Sequence, residues 1–272
     1  MALWIVATPI GTLGDLSPRA RERLVAVDVV AAEDTRVVRR LLHAVGLHRG
    51  EVVALHAHNE DGLAASLAER ARTGEVALVS DAGTPGISDP GRALVAACHA
   101  AGVPVLSVPG PSALAAALAA SGFPAAPSTF LGFPPRKGRE NWAAEVLGRP
   151  ETLVMYEAPT RIAGLVAALA AVDPHRPAAM CRELSKAHEE VRVLPMAALA
   201  ADLSARSEIR GEVVLVVGPG TSVQAAPAAT LDEGAGLKDI AAVLAARWEV
   251  SRREAYERLL AIEKGLAGDE GA

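Results

Sequence analysis

Three short stretches rich in glycine, proline and small polar residues each follow an apolar run of strand length. They are TPIGTLGD from Thr8, SDAGTPGISDPG from Ser80 and PGPSALAAA from Pro109. In an open α/β sheet, ligands bind outside the carboxyl ends of the strands, and glycine there lets a ligand touch backbone N–H and C=O groups. Turns favour the same residue types, so a single stretch would mean little. Three together predict one ligand-binding cleft.

The common phosphate-binding motifs are absent from these loops. The chain has no Gly-x-x-x-x-Gly-Lys-Ser/Thr, and no Gly-x-Gly-x-x-Gly opens its first helix. Pro9 and Pro111 remove N–H donors from two of the loops, so we expect carbonyl groups and apolar walls in the cleft. This lining suits a nucleoside that carries an amino acid better than it suits a pyrophosphate. A nucleoside triphosphate or a nicotinamide cofactor is therefore disfavoured.

Apolar strand patterns alternate with helical patterns along most of the chain, which is typical of α/β proteins. In the first half this alternation predicts a parallel sheet covered on both faces, with a helix that is capped by Ser17 and begins at Pro18. We predict an α/β domain over 1–112, a second over 113–220, and a small helical appendage over 228–272. A linker over 218–227 precedes that appendage, and a capping box of Ser251 and Glu254 opens its second helix.

Composition limits the class of protein and the partners it can have. Of 272 residues, 51% are hydrophobic, and the net charge is -5. No bulk basic field attracts nucleic acid, so any such contact must be local. Two cysteines form neither a disulfide framework nor a four-ligand zinc site. With no apolar run near ~20 residues and no signal-peptide pattern, we expect a soluble protein of the cytoplasm that neither enters a membrane nor binds a metal.

Eight motifs in a fixed order resemble one known family. From Leu3 to about Ile262 the chain is similar to the ribosomal RNA small subunit methyltransferase I family, a branch of the tetrapyrrole methylase superfamily. One departure is Thr12, where the family usually has asparagine. The motifs are TPIGTLGDLSPRA, AAEDTR, SDAGTPGISDPG, VPGPSALAAALAASGFP, FLGFPPRKGR, YEAPTRI, RELSKAHEE and GEVVLVV.

The resemblance implies two α/β domains of tetrapyrrole methylase type, with S-adenosyl-L-methionine bound in the cleft between them, normally in a homodimer. It also implies methylation of the ribose 2′-hydroxyl of one cytidine in the decoding region of 16S ribosomal RNA, with the small-subunit RNA within the 30S subunit as the partner. In the central loop, Asp81 would place its carboxylate at the donor and Gly83 would admit close approach, whereas Asp89 and Pro90 would cap the next helix. The donor-binding positions implied are Pro9, Gly11, Asp81, Ala82, Gly83, Thr84, Gly110, Pro111 and Ser112.

Transfer of a methyl group to a hydroxyl requires alignment of the reacting atoms and gains rate from a base or a nearby cation. The candidates are charged residues at strand ends, and for each of them structural pairing is the alternative. Lys186 meets the requirement for a base only if its pKa is lowered, and Glu183 is equally suited to be its ion-pair partner. The catalytic candidates are Glu33, Asp34, Glu157, Glu183 and Lys186.

Basic clusters on this acidic chain are the candidate contacts for RNA phosphates, with a solvated face as the alternative. The residues predicted to bind RNA are Arg36, Lys137, Arg139, Arg252 and Arg253. His56 and His58 would share one face of a strand, but no third and fourth metal ligand has suitable spacing. We therefore expect a hydrogen-bonding role for them and no metal.

Two alternatives remain at the level of the sequence. One is a methyltransferase of the same fold that acts on a tetrapyrrole or on a protein side chain. The other is a ribosome-assembly protein that binds RNA without turnover. Binding of S-adenosylmethionine separates the second alternative from the enzymes, and the salt dependence of activity separates RNA from a small substrate.

Overall fold

The computed structural model describes residues 1–47, 50–220, 236–238, 240–241, 245 and 251–266. Residues 1–220 form one compact unit, and the described residues beyond Gly220 belong to a second unit. In this described part of the chain, no helix has both the length and the hydropathy needed to cross a membrane.

The first sheet is parallel throughout, with strand order β3-β2-β4-β1-β5. Its strands are β1 Ala2–Val6, β2 Val29–Ala32, β3 Glu51–Ala54, β4 Glu75–Val79 and β5 Val105–Val108. Its helices are α1 Pro18–Ala26, α2 Thr35–Ala44, α3 Glu60–Thr73 and α4 Arg92–Ala100. Leu24 of α1 and Val38 of α2 belong to one core cluster, while Leu67 of α3 and Leu94 of α4 belong to another. Because successive strand residues alternate between these clusters, the predicted parallel, doubly covered sheet is confirmed.

The second sheet is mixed, with strand order β6-β7-β10-β8-β9. Only β6 and β7 pair in parallel, and the other three pairs are antiparallel. Helices α6, α7 and α8 cover one face, and α5 packs on the other together with Ile10 from the first half. The strands are β6 Ser128–Phe130, β7 Thr152–Glu157, β8 Pro177–Arg182, β9 Glu190–Pro195 and β10 Val213–Val217. The helices are α5 Ala113–Ser121, α6 Arg139–Leu147, α7 Ile162–Val172 and α8 Met196–Ser204.

Three strands that the sequence analysis did not identify, β3, β6 and β9, all lie at sheet edges. An edge strand is half-exposed and needs no continuous apolar run, so its sequence signal is weak. In β9, for example, Val191 and Val193 are exposed. Strands β7 and β8, which flank β10 inside the sheet, have apolar runs that are recognisable in the sequence.

Two of the predicted helix starts, at Ser17 and Ser251, have the expected cap. The Ser17 side chain accepts a hydrogen bond from the Ala20 N–H at 3.1 Å, ahead of Pro18. The Ser251 hydroxyl likewise accepts from the Glu254 N–H at 3.2 Å at the start of α9, Arg252–Leu266. The predicted boundary between residues 112 and 113 falls between β5 and α5 and stays a prediction. The linker beyond Gly220 and much of the first appendage helix lie outside the described residues.

Candidate active site

A cavity of about 330 Å³ opens at the carboxyl ends of the first sheet's strands. The first half contributes the loop after β4, Ile10 after β1 and Ser112 before α5. The second half contributes Tyr156 of β7 and Val213 of β10. Both sheets therefore build one cavity, whose volume is in the range of small-molecule sites.

The loop after β4 is held in place by glycine and by hydrogen bonds to its neighbours. Gly83 has a φ of +84°, and a Cβ there would lie 3.3 Å from Ile10 Cγ2. The Thr8 N–H donates to the Gly83 carbonyl at 2.9 Å, and the Gly83 N–H donates to the Thr8 carbonyl at 3.0 Å. The Thr84 hydroxyl donates to the Pro111 carbonyl at 3.1 Å. The loops after β1, β4 and β5 are thus one hydrogen-bonded frame.

The structure divides the predicted donor-binding residues into two groups. Those that line the cavity are Asp81, Ala82, Gly83, Thr84 and Ser112. Those that do not line it are Pro9, Gly11, Gly110 and Pro111. The second group supports the frame: a Cβ on Gly110 would lie 3.0 Å from the Ala7 Cβ, so glycine lets this loop approach β1. Between Pro9 and Gly11, the side chain that does line the cavity is Ile10.

Four carboxylates gather beyond the ends of β2 and β4. Burial, and then the charges of Asp89, Asp81 and Asp34, raise the pKa of Glu33. Burial likewise raises the pKa of Asp81 and that of Asp89. Hydrogen bonds from Arg36 instead hold the pKa of Asp34 well below its usual range. Three of the four carboxylates therefore bind a proton more readily than free side chains do.

Asp89 is a cavity residue that sequence reasoning assigned to a different role. The prediction that it caps the next helix is wrong, because α4 begins at Arg92 with Gly91 at its N-cap. The N–H of Gly91 donates to the Glu60 carboxylate at 2.7 Å, which ties the start of α4 to the start of α3. Asp89 lines the cavity instead. The sequence signal that could have placed Asp89 in the cavity was its position in the same loop as Asp81.

Tyr156 and Cys181 are wall residues that the sequence did not single out. The Tyr156 hydroxyl accepts a hydrogen bond from the Leu114 N–H at 3.1 Å, and burial raises its pKa. Burial also raises the pKa of the Cys181 thiol to about 11, so this wall group is not a thiolate at neutral pH. Neither residue stands in a glycine-rich loop, and only the folded structure brings them to the cavity.

Comparison with known proteins decides the family. The family model described as tetrapyrrole (corrin/porphyrin) methylases matches residues 2–200. A ribosomal RNA small subunit methyltransferase I of Xylella fastidiosa is 48% identical over 220 residues, covering 79% of this chain and 80% of that protein. The protein of that name from Mycobacterium tuberculosis is 42% identical and covers 98% of this chain and 97% of its own length.

This chain belongs to the ribosomal RNA small subunit methyltransferase I family of tetrapyrrole methylases. The family resemblance found in the sequence is thereby confirmed. Among solved structures, uroporphyrin-III C-methyl transferase from Thermus thermophilus complexed with S-adenyl homocysteine superposes with a TM-score of 0.54 at 22% identity. The superposition covers 82% of this chain and 100% of the solved chain, which supports the methylase fold.

In this tetrapyrrole methylase, Glu157 is a buried member of an ion-pair cluster. Its side chain has no exposed surface, and it accepts hydrogen bonds from Arg139 Nη2 at 2.5 Å and Arg161 Nε at 2.7 Å. Arg139 also donates to the carbonyls of Pro135 and Arg161, at 3.0 and 3.1 Å. These bonds turn the guanidinium of Arg139 inward, so we remove Arg139 from the predicted RNA contacts. They pair Glu157 with two arginines, and Glu157 is at the same time one of the residues that line the cavity, so its catalytic role stays a prediction.

Glu183 and Lys186 form a second ion-pair cluster, in the turn between β8 and β9. Lys186 Nζ lies 2.8 Å from Glu183 Oε1 and 3.1 Å from Glu212 Oε2. Burial lowers the pKa of Lys186, but these two hydrogen bonds outweigh it and leave the pKa raised. The condition for Lys186 to act as a base, a lowered pKa, is therefore not met. Pairing with Glu183, the alternative weighed from the sequence, is what the structure shows.

The same turn joins the two halves of the methylase. The Thr12 hydroxyl donates to the Ser185 carbonyl at 2.5 Å, and the Thr12 N–H donates to Ser185 Oγ at 3.2 Å. The Ser185 hydroxyl also donates to Asp15. Glu183 and Ser185 have φ values of 52° and 67°, a conformation that costs non-glycine residues on the order of 1 kcal/mol. The hydrogen bonds across the halves hold this strained turn in place.

The remaining predicted RNA contacts are all exposed. The Arg36 guanidinium donates two hydrogen bonds to the Asp34 carboxylate, at 2.7 and 3.1 Å. The Arg253 guanidinium donates one to the Glu257 carboxylate, at 3.0 Å. Lys137 and Arg252 form no ion pair with the residues that the structure describes.

The two histidines do not share the face of a strand. His56 and His58 lie between β3 and α3, in and beside a turn, with their ring centroids 6.1 Å apart. The His56 N–H donates to the Asn59 side chain at 2.8 Å. Across the described ranges, no group of three or more His, Cys, Asp or Glu side chains is positioned to hold a metal ion.

Proposed function

We propose that this chain transfers a methyl group from S-adenosylmethionine to ribosomal RNA of the small subunit. The observation that carries the proposal is the match to relatives of that name at 42–48% identity over 79–98% of the chain. The finer proposal, drawn from the family resemblance, is a ribose 2′-hydroxyl of one cytidine in the decoding region. A ribosomal substrate is consistent with localisation in the cytoplasm.

The cavity fits the cofactor in size and in the chemistry of its walls. S-adenosylmethionine supplies an electrophilic methyl group on a positively charged sulfonium when it is bound. The chain offers backbone groups at Gly83, where no side chain stands in the way, and carboxylates at Asp81 and Asp89. Carboxylates favour a cationic ligand and disfavour a phosphate, in accord with the missing phosphate motifs. Apolar walls at Ile10 and Val213 suit an adenosine ring.

The carboxylate cluster is also the source we propose for a proton acceptor. A ribose hydroxyl is a weak acid, and a base whose pKa is raised towards neutrality accepts its proton more effectively. Of the catalytic candidates from the sequence, Glu33 has a raised pKa but does not line the cavity, whereas Asp34 is paired with Arg36. Asp89 joins Glu33 as a candidate because it has a raised pKa and lines the cavity itself.

RNA contacts in this proposal are local. The net charge of -5 argues against attraction by the whole surface, so Arg36, Lys137, Arg252 and Arg253 are the proposed phosphate contacts. For each phosphate contact that is lost, the slope of the logarithm of the binding constant against the logarithm of the salt concentration should become shallower by about one.

The homodimer is likewise a proposal. Exposed Leu106 on the edge strand β5, and exposed Val191 and Val193 on the edge strand β9, offer apolar surface for a second copy. Light scattering of the purified protein tests it: twice the mass of one chain supports the dimer, and the mass of one chain contradicts it.

The decisive experiment for the function supplies the protein with labelled S-adenosylmethionine and small ribosomal subunits from a strain that lacks this activity. The label is then mapped to a nucleotide and an atom. A ribose 2′-O-methyl group on a single decoding-region cytidine is the expected result. Label on another RNA atom would retain the RNA substrate and overturn the finer proposal.

Two further outcomes correspond to the alternatives from the sequence. Cofactor binding without transfer to RNA would favour a tetrapyrrole or a protein side chain as the acceptor. Absence of cofactor binding in a calorimetric titration would favour an RNA-binding protein without turnover. Free 16S RNA, offered in parallel with the assembled subunit, tells which of the two is the substrate.

A further inference from the structure

Phe133 is an exposed aromatic residue at the cavity. Its exposed fraction is 58%, and every other Phe, Tyr or Trp among the described residues is at least partly buried. It nevertheless lines the cavity, with its ring edge-to-face on Tyr156 at a centroid distance of 5.7 Å. Aromatic side chains are common in the walls of ligand cavities, and the exposed part of this ring is available to an apolar or aromatic ligand group.

The loop that carries Phe133 is fixed on both sides of the ring. Before it, the Gly132 carbonyl accepts a hydrogen bond from the Tyr156 N–H at 2.9 Å. After it, the Pro135 carbonyl accepts from Arg139 Nε at 3.0 Å, and Arg139 is anchored in turn by buried Glu157. Since the loop is already ordered, a ligand that stacks on the ring loses little further conformational entropy from the protein.

Two cations follow Phe133 in the same loop. Arg136 and Lys137 are exposed, and neither forms an ion pair with a described residue. Inside the cavity the charges are of the opposite sign, with Asp81 and Asp89 in the wall. A phosphate is therefore repelled from the cavity interior and attracted to the loop. An uncharged base or ribose is not repelled from the interior.

An aromatic face beside free cations is the arrangement that single-stranded RNA requires, because bases stack on aromatic rings and phosphates bind Lys and Arg. We infer that Phe133 is the surface on which a base of the substrate RNA stacks at the mouth of the cavity, with Arg136 and Lys137 holding the adjacent phosphates. This inference deepens the proposed function and rests on it. Phe133 is thus a positioning residue for the RNA, at the exposed edge of the cavity proposed for the cofactor.

The test compares Phe133→Leu, which keeps apolar area and loses the π face, with Phe133→Tyr, which keeps both. Val172→Ala is the matched control, because Val172 is exposed, lies at the end of α7 and does not line the cavity. For each variant we would measure the melting temperature, calorimetric affinity for S-adenosylmethionine, and KM and kcat with unmodified small subunits. Zero-length ultraviolet crosslinking to the subunits, with S-adenosylhomocysteine present, adds a readout of stacking.

We expect Phe133→Leu to raise KM for the subunits about tenfold or more, the loss typical of one base–aromatic stack. Its cofactor affinity and melting temperature should stay at wild-type values, Phe133→Tyr should restore KM, and Val172→Ala should change nothing. A crosslink in the peptide of Phe133 should appear with wild type and disappear with Phe133→Leu.

Three results would overturn the inference, and they are distinguishable. An unchanged KM in Phe133→Leu, while wild type methylates RNA, rejects stacking and leaves the proposed function intact. A loss of cofactor affinity in Phe133→Leu would show that the ring contacts the cofactor instead of the RNA. No methyl transfer to RNA by wild type rejects the proposed function, and the inference with it.

Discussion

Gly83 and Gly86 stand in the same loop with nearly the same backbone conformation, at φ values of +84° and +80°. They differ in what surrounds them. A Cβ on Gly83 would meet Ile10 Cγ2 at 3.3 Å in the cavity wall, whereas a Cβ on Gly86 would meet nothing within 4 Å. The pair therefore separates the cost of a left-handed backbone from the cost of filling the cavity.

We predict that Gly83→Ala lowers the affinity for S-adenosylmethionine about tenfold or more, and that Gly86→Ala leaves it near wild type. Both should lose about 1–2 kcal/mol of stability, because alanine is strained at positive φ. Calorimetric titration gives the affinities, and urea unfolding gives the stabilities. Equal affinities in the two variants would contradict the assignment of Gly83 to the cofactor site.

Asp89 illustrates a conflict between stability and function at a single carboxylate. Its pKa is raised by burial and by the charge of Asp81, so the folded state holds the ionised form less well than the unfolded state does. A raised carboxyl pKa means that stability is fully present below the unfolded pKa and is lost as pH rises through the folded pKa. At neutral pH, ionised Asp89 therefore destabilises the fold.

We predict that Asp89→Asn raises the free energy of unfolding at pH 7, because it removes a partly buried negative charge. The gain should disappear below about pH 4, where aspartate is protonated in both states. Urea unfolding at a series of pH values measures it. The same variant should lose methyl-transfer rate, and a variant that is more stable yet fully active would remove Asp89 from the candidate bases.

At the scale of elements, one ion pair joins the start of α6 to the end of β7. Arg139 is the first residue of α6, Glu157 is the last residue of β7, and the carboxylate is fully buried. The loop that precedes α6 carries Lys137, which is exposed. Two basic residues that stand two positions apart in the sequence thus have different environments.

We predict that Arg139→Ala destabilises the protein by about 3 kcal/mol, because it leaves a buried carboxylate with one cationic partner fewer. Lys137→Ala should leave stability within about 0.5 kcal/mol and instead weaken RNA binding, with a shallower salt dependence. Thermal unfolding and filter binding at several salt concentrations measure the two effects. A stable Arg139→Ala variant with weakened RNA binding would restore the original RNA-contact assignment.

For the whole 1–220 unit, the critical contact is the one between the loop after β1 and the β8–β9 turn. A Cβ on Gly11 would lie 2.5 Å from Lys186 Cγ and 2.8 Å from the Ser185 carbonyl oxygen. Gly14, three residues along, has only Thr12 Cγ2 nearby, at an ordinary 3.7 Å. The contact between the two halves therefore requires glycine at position 11 and does not require it at position 14.

We predict that Gly11→Ala costs about 1–3 kcal/mol of stability and lowers cofactor affinity, since overpacking at this contact displaces one wall of the shared cavity from the other. Gly14→Ala is the control and should preserve cofactor affinity. Thermal unfolding and calorimetric titration measure both quantities. Normal cofactor affinity in Gly11→Ala would show that the cavity tolerates movement between the halves.

Much of the fold could be predicted from the sequence. Central strands, capped helices and glycine-rich turns follow from neighbouring residues, which is why β1, β4, α1 and the loop from Ser80 were predictable. Edge strands such as β9 carry weaker local signals, and the antiparallel pairing of β10 has no signature in its own apolar run.

Local chemistry in the sequence indicated the α/β class and the loops that build the cavity, because backbone preference and apolar periodicity act over a few residues. The family came from the resemblance of eight ordered motifs to known proteins. The states of the charged side chains were decided by packing between residues far apart in the chain. Arg139 pairs with Glu157, Lys186 pairs with Glu212, and Asp89 faces the cavity beside Asp81. A carboxylate has the same letter in the sequence whether it is paired with a distant arginine or left in a partly buried cluster of like charge, and its pKa depends on which of the two the fold provides.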